Sequence, residues 1–216
     1  MRMTTAAWAV VLTLLLCLAL LSLSLGAQEL PSFHFPVSPD YAVVTLDYSG
    51  GLDGGAGTYR QDGSVAAPSA HVPFLQLFGD GSLRVAQQAG ERRGVYMSRL
   101  DYSDLTDLLT FIASTGVLSS PFRTCAEAVA TSRAHPPEVD LDPSEDAAAV
   151  VIELRVDAFV EGGKHEAPFT WRATCSDLGG SAWFAPDVPW LFAMQAVEKR
   201  LLELARDASR QESVVR

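Results

Sequence analysis

Asp140, Asp142, Ser144 and Asp146 stand at alternate positions in the acidic run 138–146. Oxygen ligands at that spacing are what a calcium loop presents, because the ion is held by several hard oxygen donors. The rest of the loop pattern is missing. Pro143 interrupts the run, Glu145 takes the place of the turn glycine, and Val151 falls where a bidentate acid is required. The run therefore reads first as a solvated acidic loop. Asp140, Asp142 and Asp146 are the weak calcium candidates, and no metal site is predicted.

Cys125 and Cys175 are the next residues with chemistry of their own. An isolated pair far apart in sequence, with no histidine nearby, does not match zinc-ligand spacing. In an oxidising compartment such a pair is most simply a disulfide, with two buried free thiols as the alternative. The glycine-rich residues 50–57 follow an apolar run but lack the Lys-Ser/Thr pair and the following helix of a phosphate cradle, so they read as a loop. His34, His71, His135 and His165 are scattered through loops and turn edges and read as surface residues. There is no Gly-x-Ser-x-Gly, His-Glu-x-x-His or Cys-His signature. No catalytic residue and no cofactor is predicted. Trp183, Phe184, Trp190 and Phe192 cluster before and within the last apolar-periodic segment. Core packing is the first reading of that cluster, and a contact patch for a partner protein or a glycan is the second.

The first residues bear on the redox compartment. Arg2 precedes a stretch, residues 6–25, that is apolar apart from Thr13, Ser22 and Ser24, and small residues close it at Gly26 and Ala27. That is the pattern of a secretory signal peptide over residues 1–27. The apolar stretch also matches the roughly 20 residues that span a bilayer core, so an uncleaved N-terminal anchor is the alternative. Cys17 belongs to this stretch. Either way the body is expected to be exported, periplasmic or extracellular, with membrane contact only through residues 6–25 if they are retained. Without Arg2 the body has 15 basic and 26 acidic residues, a net charge of −11. That balance excludes a nucleic-acid grip, which needs clustered positive charge. Two lysines against 14 arginines, two isoleucines and no asparagine suggest a GC-rich, bacterial coding bias and leave no N-glycosylation acceptor.

The elements that must position these residues follow from periodicity. Residues 28–40 form an extended lead-in. Residues 41–48 alternate as a strand, with Ala42, Val44, Leu46 and Tyr48 on one face. Residues 49–73 are a long loop rich in Gly, Ala, Ser and Pro. Strands at 74–78 and 83–87 flank Gly79-Asp80-Gly81-Ser82, a strong hairpin signal, and 95–99 is a further strand. Asp101 caps a helix whose buried stripe is Leu105, Leu108, Leu109 and Ile112. Leu100 and Leu105 have staple spacing, and Gly116 is the stop. Residues 119–147 are irregular, with one helical turn near 125–130. Residues 149–159 alternate, with Ile152, Leu154, Val156 and Ala158 inward. Glu161-Gly162-Gly163-Lys164 turns the chain, and Phe169, Trp171, Ala173 and Cys175 share the inner face of the next strand. Asp187 is the expected cap of a final helix with the stripe Leu191, Met194, Val197, Leu201 and Leu204. Residues 208–216 are expected to fray as a disordered tail.

The segment from Pro73 to Val85, an apolar strand, Gly-Asp-Gly and a second strand, followed by a capped helix, resembles a pattern recurring in uncharacterised secreted bacterial proteins. The resemblance implies export and a compact domain, and it supplies no catalytic residues.

Together these readings predict one α+β domain over residues 41–207: an antiparallel sheet of about six strands with two helices packed on one face. The expected role is non-enzymatic, by contact with an unidentified protein or envelope partner. A small-ligand or calcium-binding module is the alternative, and an enzyme without a recognisable signature comes third.

Overall fold

A computed structural model describes residues 30–49, 72–89, 92–134 and 149–214. The expected leader, most of the 49–73 loop, His71, His135 and the calcium candidates Asp140, Asp142 and Asp146 lie outside these residues. The strands are β1 (Ser32–His34), β2 (Ala42–Ser49), β3 (Leu75–Phe78), β4 (Ser82–Ala89), β5 (Arg92–Arg99), β6 (Ala149–Val156), β7 (Ala158–Glu161), β8 (Lys164–Glu166) and β9 (Phe169–Ser176). The helices are α1 (Tyr102–Ser114), α2 (Cys125–Val129), α3 (Leu178–Phe184) and α4 (Pro189–Val214). The fold is α+β.

Six strands form the main sheet in the order β5-β4-β3-β2-β6-β9, and every neighbouring pair is antiparallel. Register carries the period-2 pattern straight across it. Tyr96, Val85, Leu75, Leu46, Ile152 and Ala173 make one cross-strand row. Ser98, Leu83, Leu77, Val44, Leu154 and Trp171 make the next. These rows face the helices and, apart from the half-buried Tyr96 and Ser98 at their β5 end, form the core with Leu105, Leu109, Ile112, Leu191 and Met194. Each large side chain buried there contributes about 1.5–3 kcal/mol. Met97, Arg84, Gln76, Thr45, Glu153 and Arg172 occupy the row on the opposite face, where none is fully buried. Among the described residues no polar or charged side chain is fully buried.

The Gly-Asp-Gly turn locks the β3–β4 hairpin to its neighbours. Gly81 has φ +84°, and a Cβ there would overlap the Leu100 carbonyl oxygen. A Cβ on Gly79 would overlap the Pro36 carbonyl oxygen. Backbone approaches this close admit only glycine. The Leu100 N–H donates to the Gly81 carbonyl at 2.9 Å, and the Gly79 N–H donates to Tyr41 at 2.9 Å. Immediately downstream, Asp101 caps α1 by accepting from the Asp104 N–H at 2.8 Å. The expected stripe Leu105, Leu108, Leu109 and Ile112 is buried, and Gly116 ends the segment at φ +75°.

Five features differ from the sequence reading. The helices number four among the described residues: α2 lies where one helical turn is expected near 125–130, and the seven-residue α3 between β9 and α4 is the unexpected one. A second sheet, β1-β7-β8, joins the lead-in to the hairpin around Gly162-Gly163. It forms because the chain bends at Asp157, whose N–H donates to the His34 carbonyl at 2.8 Å. Ala158 is therefore buried on β7 and not on the inner face of β6. The third feature is Asp187, which does not cap α4. Its carboxylate accepts from the Ser132 hydroxyl and, at 2.8 Å, from the Arg133 N–H. On α4 the buried stripe is Leu191, Met194, Val197, Leu201, Ala205 and Ala208, while Leu204 is only half-buried. Finally, α4 runs to Val214, past the start of the expected tail at 208, because Ala205 and Ala208 extend its apolar stripe onto the core.

Candidate functional site: an exposed aromatic surface beside a disulfide

Cys125 is the first residue of α2, and Cys175 lies on the inner face of β9. They form a disulfide with a Cα–Cα distance of 4.8 Å, and both are buried. Local structure holds α2 in place. Thr124 and Glu127 make a full capping box: Thr124 Oγ1 accepts from the Glu127 N–H, and Glu127 accepts from the Thr124 and Arg123 N–H groups at 3.0 and 2.8 Å. Those backbone donors, Arg123 first, hold the Glu127 carboxyl below its ordinary pKa. The Thr174 N–H donates to the Arg123 carbonyl at 2.8 Å, and Thr124 bridges Thr174, so this segment also pairs with the β9 edge of the sheet at that residue.

Helix α3 follows β9 directly. Asp177 caps it from a left-handed conformation, φ 48°, by accepting from the Gly180 N–H at 3.0 Å. Leu178 and Ala182, four residues apart, form its buried face. Trp183 lies one residue beyond that face and is 77% exposed. Its ring meets Phe184 edge-on at 4.9 Å between centroids. Helix α4 packs on α3, and Gln195 donates to the Leu178 carbonyl at 3.5 Å. Phe192, in the first turns of α4, is 46% exposed.

The four aromatic residues of the sequence cluster therefore divide. Trp190 is buried and packs edge-on against Phe122 at 5.9 Å. Phe184 is half-buried, and Trp183 and Phe192 face solvent. The core reading is correct for Trp190 and wrong for Trp183 and Phe192. Scattered exposed apolar residues are ordinary, but a tryptophan presenting most of its surface beside a second aromatic ring is the kind of feature that marks contact surfaces.

A separate cleft of about 330 Å³ lies where the Gly-Asp-Gly turn meets α1; Asp80, Arg99, Asp101 and Tyr102 help line it. Its polar groups already hold the fold. Asp80 accepts from the Ser82 hydroxyl at 2.6 Å and from its N–H at 2.9 Å, which hold the Asp80 carboxyl below its ordinary pKa. Asp101 is held low by the Asp104 N–H, then by Ser103. Arg99 donates to the Asp80 carbonyl at 3.3 Å. His34 and His165 are exposed, on β1 and β8. Among the described residues no group of three or more His, Cys, Asp or Glu side chains is arranged to hold a metal ion, and no helix is long and apolar enough to cross a membrane. The chain matches no protein-family model and no curated protein.

Proposed function

We propose that this is an exported, non-enzymatic domain that works by contact with a protein or surface in the cell envelope or outside the cell. One observation carries the reading: Trp183, 77% exposed on a short helix whose opposite face is anchored in the core. A large aromatic surface on a fixed support suits recognition, since a rigid aromatic residue loses little conformational entropy on binding. The disulfide between Cys125 and Cys175 supports the export half of the proposal, because such bonds persist in oxidising compartments. The signal-peptide pattern at 1–27 and the resemblance to secreted bacterial proteins point the same way. Fractionation tests the reading. Wild type is expected in the envelope or external fraction, held there by a partner. A Trp183→Ser/Phe192→Ser double variant should keep its melting temperature and lose that association. Equal partitioning of the two proteins, both folded, would refute the assignment.

A further inference from the structure

The two edges of the main sheet are treated differently. On β9 the segment 123–124 covers the edge at Thr174, through the Thr124 bridge and the Thr174–Arg123 hydrogen bond. On β5, eight residues long, the described residues place a strand on one side only, β4. The phase of the β4–β5 ladder follows from the bond between the Leu100 N–H and the Gly81 carbonyl, with Ser82 opposite Arg99. In an antiparallel ladder that phase makes 82↔99, 84↔97 and 86↔95 the non-hydrogen-bonded pairs. Val95, Met97 and Arg99 therefore turn their backbone N–H and C=O groups away from β4, toward the side on which the described residues place no strand. Their side chains share the sheet face opposite the helices, where Val95 is 51% and Met97 55% exposed. Arg84, in register with Met97, lies on the same face.

Charge states what would fit there. β4 and β5 carry Arg84, Arg92, Arg93 and Arg99 and no acidic residue, in a chain of net charge −10. These charges favour an acidic strand. We propose that the β5 edge receives an extended, acidic segment of a partner polypeptide by strand addition. Backbone pairing would run through Val95, Met97 and Arg99, and the partner's acidic side chains would meet Arg84, in register with Met97, while Arg99 stays on Asp80. This surface is distinct from the one around Trp183 and stands without it.

The test is fluorescence anisotropy of the full chain with labelled eight-residue peptides alternating valine with either glutamate or lysine. Saturable binding of the glutamate peptide, at least about tenfold tighter than the lysine peptide and weakened by salt, is expected. Met97→Pro removes an outward N–H without breaking a bond to β4, as edge positions allow, and should abolish that binding. Met97→Asp, which keeps the backbone donor and adds repulsion, should weaken it and serves if the proline variant does not fold. Equal affinity for both peptides, no binding of the glutamate peptide, unchanged binding by a folded Met97→Asp variant, or a dimer of the chain that protects the β5 amides would overturn the proposal.

Discussion

Removing the disulfide is the perturbation whose size follows most directly from the structure. Cys125 and Cys175 are separated by 50 positions, so the bond closes a long loop in the unfolded chain. Chain-entropy reasoning for a loop of that length gives about 4 kcal/mol of stabilisation. The Cys125→Ala/Cys175→Ala variant keeps both sites small and apolar, and the Thr124–Glu127 capping box and the Thr124–Thr174 bridge can persist, so the loss should be mainly this entropy. For a body of this length each kcal/mol moves the melting temperature by about 2–4 °C, so a fall of about 8–16 °C is expected. Differential scanning calorimetry of both proteins measures it. Intact mass after alkylation, with and without reduction, checks that the wild type carries no free thiol at either position. A melting temperature within about 2 °C of wild type, equivalent to under about 1 kcal/mol, would refute the reasoning. So would two thiols alkylated in the native, unreduced protein.

Three further outcomes follow. Gly81→Ala places a Cβ against the Leu100 carbonyl at a residue with φ +84°; it should destabilise by about 2 kcal/mol or more, read by urea denaturation, and act far more strongly than Gly116→Ala, where the left-handed φ is alike but the space is open. Tyr48 donates to Glu198 at 2.9 Å, and burial, reinforced by the Glu198 charge, raises its pKa above the ordinary tyrosine value. The folded state therefore holds this proton more tightly than the unfolded state, so its stabilisation is whole below about pH 10 and is lost as pH rises further. Tyr48→Phe should flatten that alkaline fall in denaturant midpoint; an unchanged slope would contradict the assignment. Trp183→Ser, at a mostly exposed site, should change stability by no more than about 0.5 kcal/mol in the same urea assay.

Local signals in the sequence mapped well onto the main sheet and α1. The Gly-Asp-Gly turn, the Asp101 cap and the alternation through β6 and β9 are each decided within a few residues, and the structure keeps all three. The second sheet was not legible, because β1 and β7 have three and four residues and exist only through pairing across the fold, Phe33 opposite Phe159. Asp187 misled for a similar reason. Its position before Pro189 looks like a cap, yet its partners Ser132 and Arg133 lie more than 50 residues away. The residues of the proposed contact surfaces were half legible. The aromatic cluster stood out, but its division into buried and exposed members depends on the one-residue offset of Trp183 from the Leu178–Ala182 face. Val95 and Met97 could be assigned to a strand from sequence. Their outward direction came only from the pairing phase.

The proposed function requires contact through the exposed aromatic residues Trp183 and Phe192. Site-specific photo-crosslinking in living cells addresses it directly, with a photoreactive aromatic amino acid placed at position 183, at 192 and, as an exposed control on α4, at Arg206. Discrete heterologous adducts are expected from positions 183 and 192 and none from 206. Adducts of equal yield from all three positions, or none from 183 and 192 in a correctly folded chain, would contradict it.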